Sequence, residues 1–505
     1  MSKKKKRYIS ARFLWLIFVV SEILFGITFY RIPLFPKKWS LIVLGILLVI
    51  TFLTFKLNIH TKARNRFTKF VNVTLTLCML CMSFIMPYEI DKVSDLFNQV
   101  VGQKITIKVY ELKKEYTNKY GLEYMDCLNS DGSPNYENMS GYTIATTLSV
   151  DRDNQRYALN CLKDKTSLNS VDASSTIESF EMLRRGEAEF VMVSENYESL
   201  ISGEEYHYLD DVELVCSFVR EIDSSLFKKN SDSLTDNTFA IFIGGNDEEG
   251  ELLMNGRTDV DMILVCNPKS HMIAIVSVPR DSYLPNPSYD NKYDKLTHFG
   301  LSGIDNTMLG LSNYLDVNID RYVVVNFTTY IQIINALGGV DVYNPYEFYY
   351  SYDNSAYFPK GDIHLEDWDA LAYVRERKSL PDGDFGRSMH QQIVMKAIIN
   401  KITSAEGIVN FNNILDSLAG KFLSNISSDS IYGLVQKQLN ENIEWTIVNY
   451  RIIGDLDMDE CASMPGQNLS VVKLYPNQVK FVKEEIDKIE AGEVVSQLEL
   501  PKGVY

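Results

Sequence analysis

Residues 238–245, TFAIFIGG, form an apolar run of β-branched and aromatic side chains that ends in two glycines. Three similar runs follow at 260–266 (VDMILVC), 271–278 (HMIAIVSV) and 321–327 (RYVVVNF). Short, nearly continuous apolar runs of this composition are typical of buried strands. They predict a central β-sheet whose two faces are both covered.

The segments between and after these runs have helical spacing, with apolar residues recurring every three or four positions. These segments are 305–315 (DNTMLGLSNYL), 328–337 (TTYIQIINAL), 365–375 (LEDWDALAYVR) and 390–402 (HQQIVMKAIINKI). Strands that alternate with helices predict an α/β domain with helices on both sides of the sheet. The expected architecture is therefore a three-layer α-β-α sandwich.

Charged side chains stand at the ends of the predicted strands, where α/β sheets bind their ligands. Asp247 follows the two glycines, and Arg257 and Asp259 stand just before the second strand. Asp261 is predicted to share a face with Asp259, two residues earlier. Carboxylates that flank one cleft are the oxygen ligands that Mg²⁺ takes together with substrate phosphates. A plain turn at Asp247 and a strand-capping role for Asp259 are the alternatives.

Arginines gather at two further positions of this kind. Arg280 and Asp281 directly follow the third strand and a proline. An arginine there can hold phosphate oxygens through two parallel hydrogen bonds, and Asp281 either orients it or acts in catalysis. Arg375 and Arg377 face the same way if the chain is extended from Val374 onward.

The turn PDGD at 381–384 continues this charged segment. Asp384 and Arg387 are expected to precede a helix whose first turns carry His390 and Gln391, and a helix N-terminus beside arginines is an anion site. Several arginines and carboxylates in one acidic domain predict a localised anionic ligand, such as a diphosphate with a divalent metal, and disfavour nucleic acid. A solvated charged loop is the alternative for each residue taken alone.

The N-terminal part of the chain is basic and predicts a membrane anchor. Residues 1–90 hold 14 of the 50 Lys and Arg residues but only two acids, whereas the whole chain has a net charge of −16. Apolar runs at 13–30, 39–55 and 70–86 each approach the ~20 residues that cross a bilayer. The basic segments before the first run and between the second and third place the N-terminus in the cytoplasm. With three crossings, the chain after about Pro87 is extracellular.

Between the anchor and the sheet, the pattern predicts a smaller α/β accessory domain. The strand-like stretch 104–112 (KITIKVYEL) and a helical segment leading into the apolar run 190–193 indicate this unit. The polar stretch 228–237, KKNSDSLTDN, is rich in turn formers and marks the boundary. The predicted division is 1–90 tail and three spans, 91–235 accessory domain, 236–405 catalytic domain and 406–505 C-terminal extension of that domain.

The order of the motifs resembles the LytR-CpsA-Psr family of Gram-positive bacteria. In sequence order the motifs are GND…GRTD…VPRD…KLTHFG…ALGGVDV…FPKGDIHLEDWDALAYVRERKSLPDGDFGR…QQ. The resemblance covers about residues 238–401. The three-span anchor followed by an extra outer domain is similar to the capsule-associated CpsA branch of that family.

This resemblance implies a narrow apolar tunnel for a polyprenyl chain and a charged mouth for its pyrophosphate. It also implies that Asp247 and Asp259 bind Mg²⁺, or Mn²⁺ in its place. The pyrophosphate-binding residues that it implies are Arg280, Arg375, Arg377 and Gln391, with Arg257, Asp384 and Arg387 in support. The catalytic set is then Arg280, Arg375 and Arg377, with Asp281 and Asp384 as candidate bases. His390 departs from the pattern, because many relatives carry arginine there.

The expected function is that of a cell-envelope phosphotransferase, which attaches capsular polysaccharide or a related glycan from a polyprenyl-pyrophosphate carrier to peptidoglycan. A polyprenyl-pyrophosphate phosphatase and a non-catalytic sensor would use the same residues. A transcriptional regulator of capsule synthesis is disfavoured, since residues 1–12 are too few for a DNA-binding helix-turn-helix. Expected partners are the lipid-linked polysaccharide, peptidoglycan, the membrane and capsule-synthesis membrane proteins, but no nucleic acid.

Overall fold

A computed structural model of the chain describes residues 10–31, 37–60, 65–98, 103–202, 207–222, 230, 232–246, 255–411, 414 and 421–504. Asp247, one of the two predicted metal ligands, lies outside these described residues. So does part of the predicted domain boundary at 228–237.

Three long helices form the N-terminal part of the structure. They are α1 (Ala11–Tyr30), α2 (Lys37–His60) and α3 (Arg66–Asn98). Each contains a stretch long and apolar enough to cross a membrane. Asn72, early in α3, donates to the carbonyl of Ala11 (2.9 Å), and Trp15, early in α1, donates to Thr54 near the end of α2 (3.1 Å). Helices α1 and α3 are therefore parallel, and α2 is antiparallel to both.

The accessory domain is a five-stranded sheet with helices, as the strand and helix patterns predicted. Its elements are β1 (Gln103–Leu112), α4 (Lys114–Tyr120), β2 (Thr143–Thr146), α5 (Arg152–Lys163), β3 (Asn169–Asp172), α6 (Thr176–Arg184), β4 (Phe190–Ser194), α7 (Glu195–Glu198) and β5 (Val212–Ile222). The strand order is β3-β2-β4-β1-β5. Strand β2 is parallel to both of its neighbours, whereas β1 is antiparallel to both of its own.

The second domain is larger. Its strands are β6 (Phe239–Asn246), β7 (Val260–Asn267), β8 (Met272–Ser277), β9 (Tyr283–Asn286), β10 (Lys292–Lys295), β11 (Ile319–Asn326), β12 (Val340–Asn344), β13 (Phe348–Tyr349), β14 (Tyr357–Phe358), β15 (Gly361–Leu365), β16 (Leu423–Ser424), β17 (Thr446–Arg451), β18 (Gly454–Cys461) and β19 (Met464–Leu474). Its helices are α8 (Leu296–Phe299), α9 (Ile304–Leu315), α10 (Phe327–Ala336), α11 (Asp367–Arg375), α12 (Asp384–Thr403), α13 (Ala405–Val409), α14 (Ser428–Glu441) and α15 (Pro476–Glu490).

A six-stranded sheet in the order β16-β11-β6-β7-β8-β17 forms the middle layer of this domain. Because successive side chains of a strand point to opposite faces, Phe242 packs in one core with Leu311 of α9 and Ile486 of α15. Met262 packs in the other core with Met395 of α12. Helices therefore cover both faces, and the predicted α-β-α sandwich is confirmed.

Residues after 405 complete this sheet at both edges. Strand β17 pairs with β8 in parallel, with Thr446 opposite Met272, and β16 pairs with β11, with Leu423 opposite Val324. Helix α15 then packs against β7 and β8. The segment predicted as a C-terminal extension is thus part of the central sheet and of its covering layer.

The three parts of the molecule contact one another. Asn196 of α7 donates to the carbonyl of Leu301 (2.9 Å), and the side chains of Leu301 and Met464 are buried in the accessory core. At the other end, Lys38 at the start of α2 donates to the carbonyl of Asn440 in α14 (2.7 Å). The large domain therefore touches both the accessory domain and the anchor.

Candidate active site

A cavity of about 450 Å³ opens between the central sheet and helices α10, α11 and α12. Its apolar lining comprises Ile243, Val260, Met262, Val323, Val325, Phe327, Tyr330, Ile333, Leu371, Val374, Val394, Met395, Ile398, Ile402 and Ile414. Its charged and amide lining comprises Asn246, Asp259, Arg280, Asn326, Arg375, Arg377, Arg387 and Gln391. One cavity thus combines a long apolar wall with a cluster of four arginines.

The polar and apolar linings lie at opposite ends of the cavity. Along α12, the lining side chains change from Arg387 and Gln391 to Val394, Ile398 and Ile402. At 1.5 Å per residue, the first and last of these are separated by roughly 22 Å along the helix axis. The shape suits an elongated ligand with an anionic head and an apolar tail.

The two glycines that precede the last residue of β6 make room for this cavity. Gly244 and Gly245 both line it. A Cβ atom on Gly245 would lie 3.0 Å from the Cβ of Val260 on the neighbouring strand, tighter than ordinary contact. Gly245 therefore allows β6 and β7 to approach each other closely.

Arg280 lies at the polar end, between two carboxylates. Its guanidinium is ion-paired with Asp259, and its Nε is 3.8 Å from Asp281. Burial alone would lower the pKa of Arg280, but the nearby charges of Asp259 and Asp281 outweigh burial and hold that pKa above its ordinary value. Asp281 also pairs with Lys295 (3.3 Å). These contacts of Asp281 indicate that it positions Arg280.

Arg375 and Arg377 both line the cavity, but not in the conformation expected from their spacing. Arg375 is the last residue of α11, so the chain is helical rather than extended at Val374. It turns into extended backbone only at Glu376 (φ −59°, ψ 133°). The guanidinium of Arg375 stacks over the ring of Phe327, 4.4 Å from its centroid, which holds the charge at the cavity wall.

Glu376, between these arginines, was missed by sequence reasoning. Its buried carboxylate accepts three backbone N–H bonds, from Ser351 (2.6 Å), Arg377 (2.8 Å) and Ser379 (2.8 Å). Burial alone would raise the pKa of Glu376, but these donors together outweigh burial and lower it. The signal in the sequence was an acid placed between two arginines, R-E-R, whose role depends on the distant Ser351.

Replacing Glu376 with glutamine is expected to lower the free energy of unfolding by about 1–3 kcal/mol at pH 7, because buried N–H donors lose a charged acceptor. Since folding lowers the pKa of Glu376, the carboxylate stabilises the protein above the ordinary value of 4.5, and this contribution is lost as pH falls through the folded pKa. Thermal unfolding of the purified protein at pH 7 and pH 3 measures both effects. The exposed Glu366→Gln is the matched control, and an equal deficit at both pH values would contradict the prediction.

Helix α12 begins earlier than expected. Its first residue is Asp384, so Asp384 and Arg387 are part of the helix and do not precede it, and they pair with each other at 2.7 Å. Gln391 lines the cavity and donates to the carbonyl of Val374 (3.4 Å). The first two turns of α12 therefore supply the cavity with one arginine and one amide.

His390 points away from the cavity into the core. Its ring stacks on Tyr373 with centroids 4.1 Å apart, and its Nδ1 lies 3.1 Å from the carbonyl of the same residue. Burial lowers the pKa of His390 to about 4, so the ring is neutral near pH 7. His390 is a packing residue and contributes no charge to the polar end of the cavity.

The structure brings together most, but not all, of the predicted site residues. Those that line the cavity are Asp259, Arg280, Arg375, Arg377, Arg387 and Gln391. Among the described residues, Arg257, Asp281 and Asp384 are outside that lining, although the last two each pair with an arginine that belongs to it. Ligand contact by Arg257 and a role as base for Asp281 or Asp384 stay predictions.

The corner near Asp259 offers oxygen donors that fit a divalent cation. Asp259 lines the cavity beside Asn246, the last residue of β6. Within the described part of the chain, the buried Oδ1 of Asn246 has no hydrogen-bond partner. A carboxylate and an amide oxygen are the hard ligands that Mg²⁺ and Mn²⁺ accept, so the donor set is compatible with the predicted metal.

Asp261 is buried two residues after Asp259 and accepts a hydrogen bond from Thr258 (2.6 Å). Burial raises the pKa of Asp261 to about 8, even though the Thr258 bond and Arg280 oppose the shift. Asp261 is therefore largely protonated near pH 7. Asp259, in contrast, is ion-paired with Arg280.

Asp261→Asn is expected to gain stability relative to the wild type as pH rises. Because folding raises the pKa of Asp261 from 3.8 to about 8, its proton stabilises the fold at pH 4 and this contribution is lost as pH rises through the folded pKa. The slope is at most about 1.4 kcal/mol per pH unit. Thermal unfolding of both proteins at pH 4, 6 and 8 gives the comparison, and a difference independent of pH would refute the shift.

Comparison with known proteins identifies the family to which this domain belongs. A profile of the LytR_cpsA_psr family matches residues 217–475, which include every residue that lines the cavity. The chain belongs to the LytR_cpsA_psr family. The match begins within β5 and ends before α15, so strands β16 and β17 lie within the family region.

Similar proteins include a polyisoprenyl-teichoic acid–peptidoglycan teichoic acid transferase, TagU, of Bacillus anthracis. It is 36% identical over 196 residues, which are 39% of this chain and 63% of that protein. The TagU of Bacillus licheniformis is 32% identical over 212 residues, 41% of this chain and 67% of that protein. The chain thus matches less than two thirds of the length of the B. anthracis relative.

Solved structures of related proteins are also similar to part of the chain. B. subtilis TagV aligns with 52% of this chain at 25% identity and a TM-score of 0.44. TagT bound to LIIa-WTA aligns with 53% of this chain at 24% identity and a TM-score of 0.43.

Proposed function

We propose that this family member transfers a glycan from a polyprenyl-diphosphate carrier to peptidoglycan. The observation that carries the proposal is the cavity, in which four arginines stand at one end of an apolar passage. A polyprenyl chain needs an apolar lining, and its diphosphate needs several positive donors. Relatives named as teichoic acid transferases support the reaction class.

The reaction proposed is phosphoryl transfer. A hydroxyl of the wall sugar attacks the phosphorus that carries the glycan, the bond from that phosphorus to the bridging oxygen breaks, and polyprenyl phosphate leaves. The hydroxyl proton passes to solvent or to a carboxylate at the site. Arg280, Arg375 and Arg377 hold the phosphoryl oxygens, where negative charge must be stabilised in the transition state.

The remaining groups position these arginines. Asp259 pairs with Arg280, Phe327 stacks on Arg375, and Glu376 fixes the turn that carries Arg377. Asp259, together with Asp247, would hold Mg²⁺, which offsets charge on the bridging and leaving oxygens when bound. Arg387 and Gln391 add donors from the first turns of α12.

The finer proposal is that the glycan is a capsular polysaccharide and that capsule-synthesis membrane proteins are partners. It rests on the three-span anchor and the accessory domain, which resemble the capsule-associated CpsA branch. The proposed location is the cell membrane, with the N-terminus in the cytoplasm and the large domains outside. The parallel arrangement of α1 and α3 supports the placement of the N-terminus and of the large domains on opposite sides of the membrane.

An assay with the purified full chain in nanodiscs tests the function. The probes are a polyprenyl-diphosphate oligosaccharide, peptidoglycan fragments and Mg²⁺. We expect equal amounts of polyprenyl phosphate and of oligosaccharide–peptidoglycan product. Release of polyprenyl phosphate without a joined product would indicate a phosphatase, and binding without turnover would indicate a sensor. Either result would overturn the proposal.

A further inference from the structure

The short hairpin formed by β13 and β14 presents tyrosine rings to solvent. Tyr349 and Tyr357 are directly opposite each other across the two strands, with ring centroids 4.8 Å apart. Tyr352, in the turn between the strands, is also exposed. The exposed fractions are 58% for Tyr349, 54% for Tyr352 and 49% for Tyr357. These three residues are called the tyrosine patch below.

The patch is held firmly from beneath. Because side chains alternate along a strand, Phe348 and Phe358 point to the other face of the hairpin, where both are buried with ring centroids 4.9 Å apart. Phe348 also packs against Tyr373 and the ring of His390. The buried phenylalanines anchor the hairpin in the core, so the tyrosine rings need little ordering when a ligand binds.

The patch is continuous with the charged end of the cavity. Tyr352 itself lines the cavity, and its ring lies 5.5 Å from the guanidinium of Arg375. The hairpin is also tied to the turn that carries Arg377. Ser379 donates to the carbonyl of Tyr349 (3.0 Å), and the backbone N–H of Ser351 donates to Glu376 (2.6 Å). A ligand that leaves the cavity beside Arg375 therefore meets the tyrosine patch.

We infer that the tyrosine patch binds the first sugar rings of the donor glycan. This inference rests on the proposed function, since the lipid tail then fills the apolar end and the diphosphate sits among the arginines. The glycan is the part of the donor that must pass outward beside Tyr352. Pyranose rings present apolar C–H faces and hydroxyl groups, and tyrosine offers an aromatic face and a polar O–H to match both. Several exposed aromatic side chains that are held rigidly together are a feature of binding surfaces.

The test compares two lipids that differ only in the sugar. The affinity of the full chain in nanodiscs is measured for polyprenyl diphosphate and for the same lipid carrying an N-acetylhexosamine disaccharide. We expect the wild type to bind the sugar-bearing lipid at least ten times more tightly. Tyr349→Ala and Tyr357→Ala are each expected to reduce this preference about fivefold while leaving affinity for the sugar-free lipid unchanged.

Two control variants separate ring contact from folding. Tyr349→Phe keeps the aromatic face and is expected to retain at least half of the preference. Tyr293 is a matched exposed tyrosine that also pairs with another tyrosine ring, Tyr283 at 5.0 Å, but it lies on β10, outside the β13–β14 hairpin. Tyr293→Ala is expected to behave like the wild type.

The failures of the two ideas are distinguishable. If the wild type binds both lipids equally well, or if the alanine variants weaken both lipids to the same extent, the tyrosine patch does not bind sugar and the inference is overturned while the proposed function stands. If the wild type binds neither lipid, the proposed function fails, and the inference fails with it.

Discussion

Replacing Arg280 with alanine is expected to reduce the rate of glycan transfer by about 10²–10³-fold, the loss typical of one donor that stabilises transition-state charge. Arg280 is ion-paired with Asp259 at the polar end of the cavity, and its raised pKa keeps it charged at any physiological pH. The loss should be in kcat more than in KM, because the charge that it stabilises develops mainly in the transition state. Initial rates with the oligosaccharide donor give the measurement.

The same change can be examined in cells. On the proposed function, strains carrying Arg280→Ala should shed into the medium the polysaccharide that wild-type strains would retain on the wall. Arg280→Lys keeps the charge but loses the paired geometry, and it is expected to recover only part of the activity. The exposed Arg156→Ala on α5 serves as the control for loss of a positive charge elsewhere. Normal wall attachment in the Arg280→Ala strain would exclude the assigned role of this arginine.

Val325→Trp is the second change with a large expected effect, because it fills the apolar passage. Val325 lines the cavity from β11, between the sheet and α10. Each methylene that cannot be buried costs about 0.8 kcal/mol, so displacing one five-carbon isoprene unit costs about 4 kcal/mol. The affinity for a long-chain donor should therefore fall by roughly 10³-fold.

Donor chain length provides the internal comparison for this variant. A donor with only two isoprene units leaves most of the passage empty, so Val325→Trp should bind it nearly as well as the wild type does. The exposed Val219→Trp on β5 controls for the added indole, and thermal unfolding controls for overpacking. If the filled cavity accepts the long-chain donor with wild-type affinity, the apolar passage is not the lipid site.

Much of the fold could be predicted because its central strands are continuous apolar runs bounded by turns. The quoted runs at 238–245 and 260–266 correspond to β6 at Phe239–Asn246 and β7 at Val260–Asn267. The edge strand β17 escaped prediction, because TIVNYR is short and mixed, and only its pairing with β8, far away in sequence, makes it part of the sheet. Local pattern does not contain that information.

The candidate site, like the fold, could be predicted only in part. Arginines at strand and helix ends were found from residue type and position, and the structure gathers Arg280, Arg375, Arg377 and Arg387 at one cavity. The groups that orient them were missed or given other roles. Glu376 accepts one of its three N–H bonds from Ser351 in a separate hairpin, and the contact between Phe327 and Arg375 depends on the packing of α10 against α11. Such contacts arise from tertiary structure, which spacing along the chain does not reveal.

The hydrogen bond between Lys38 and Asn440 joins the large domain to the start of α2 in the helical anchor. Lys38 lies at the start of a helix that is long and apolar enough to cross a membrane, and Asn440 lies in α14, which also packs against α3. On the proposed function, a large domain held this close to the membrane would modify only the innermost peptidoglycan strands. The outer layers of the wall would then contain polysaccharide only on strands that were modified near the membrane and later displaced outward by growth.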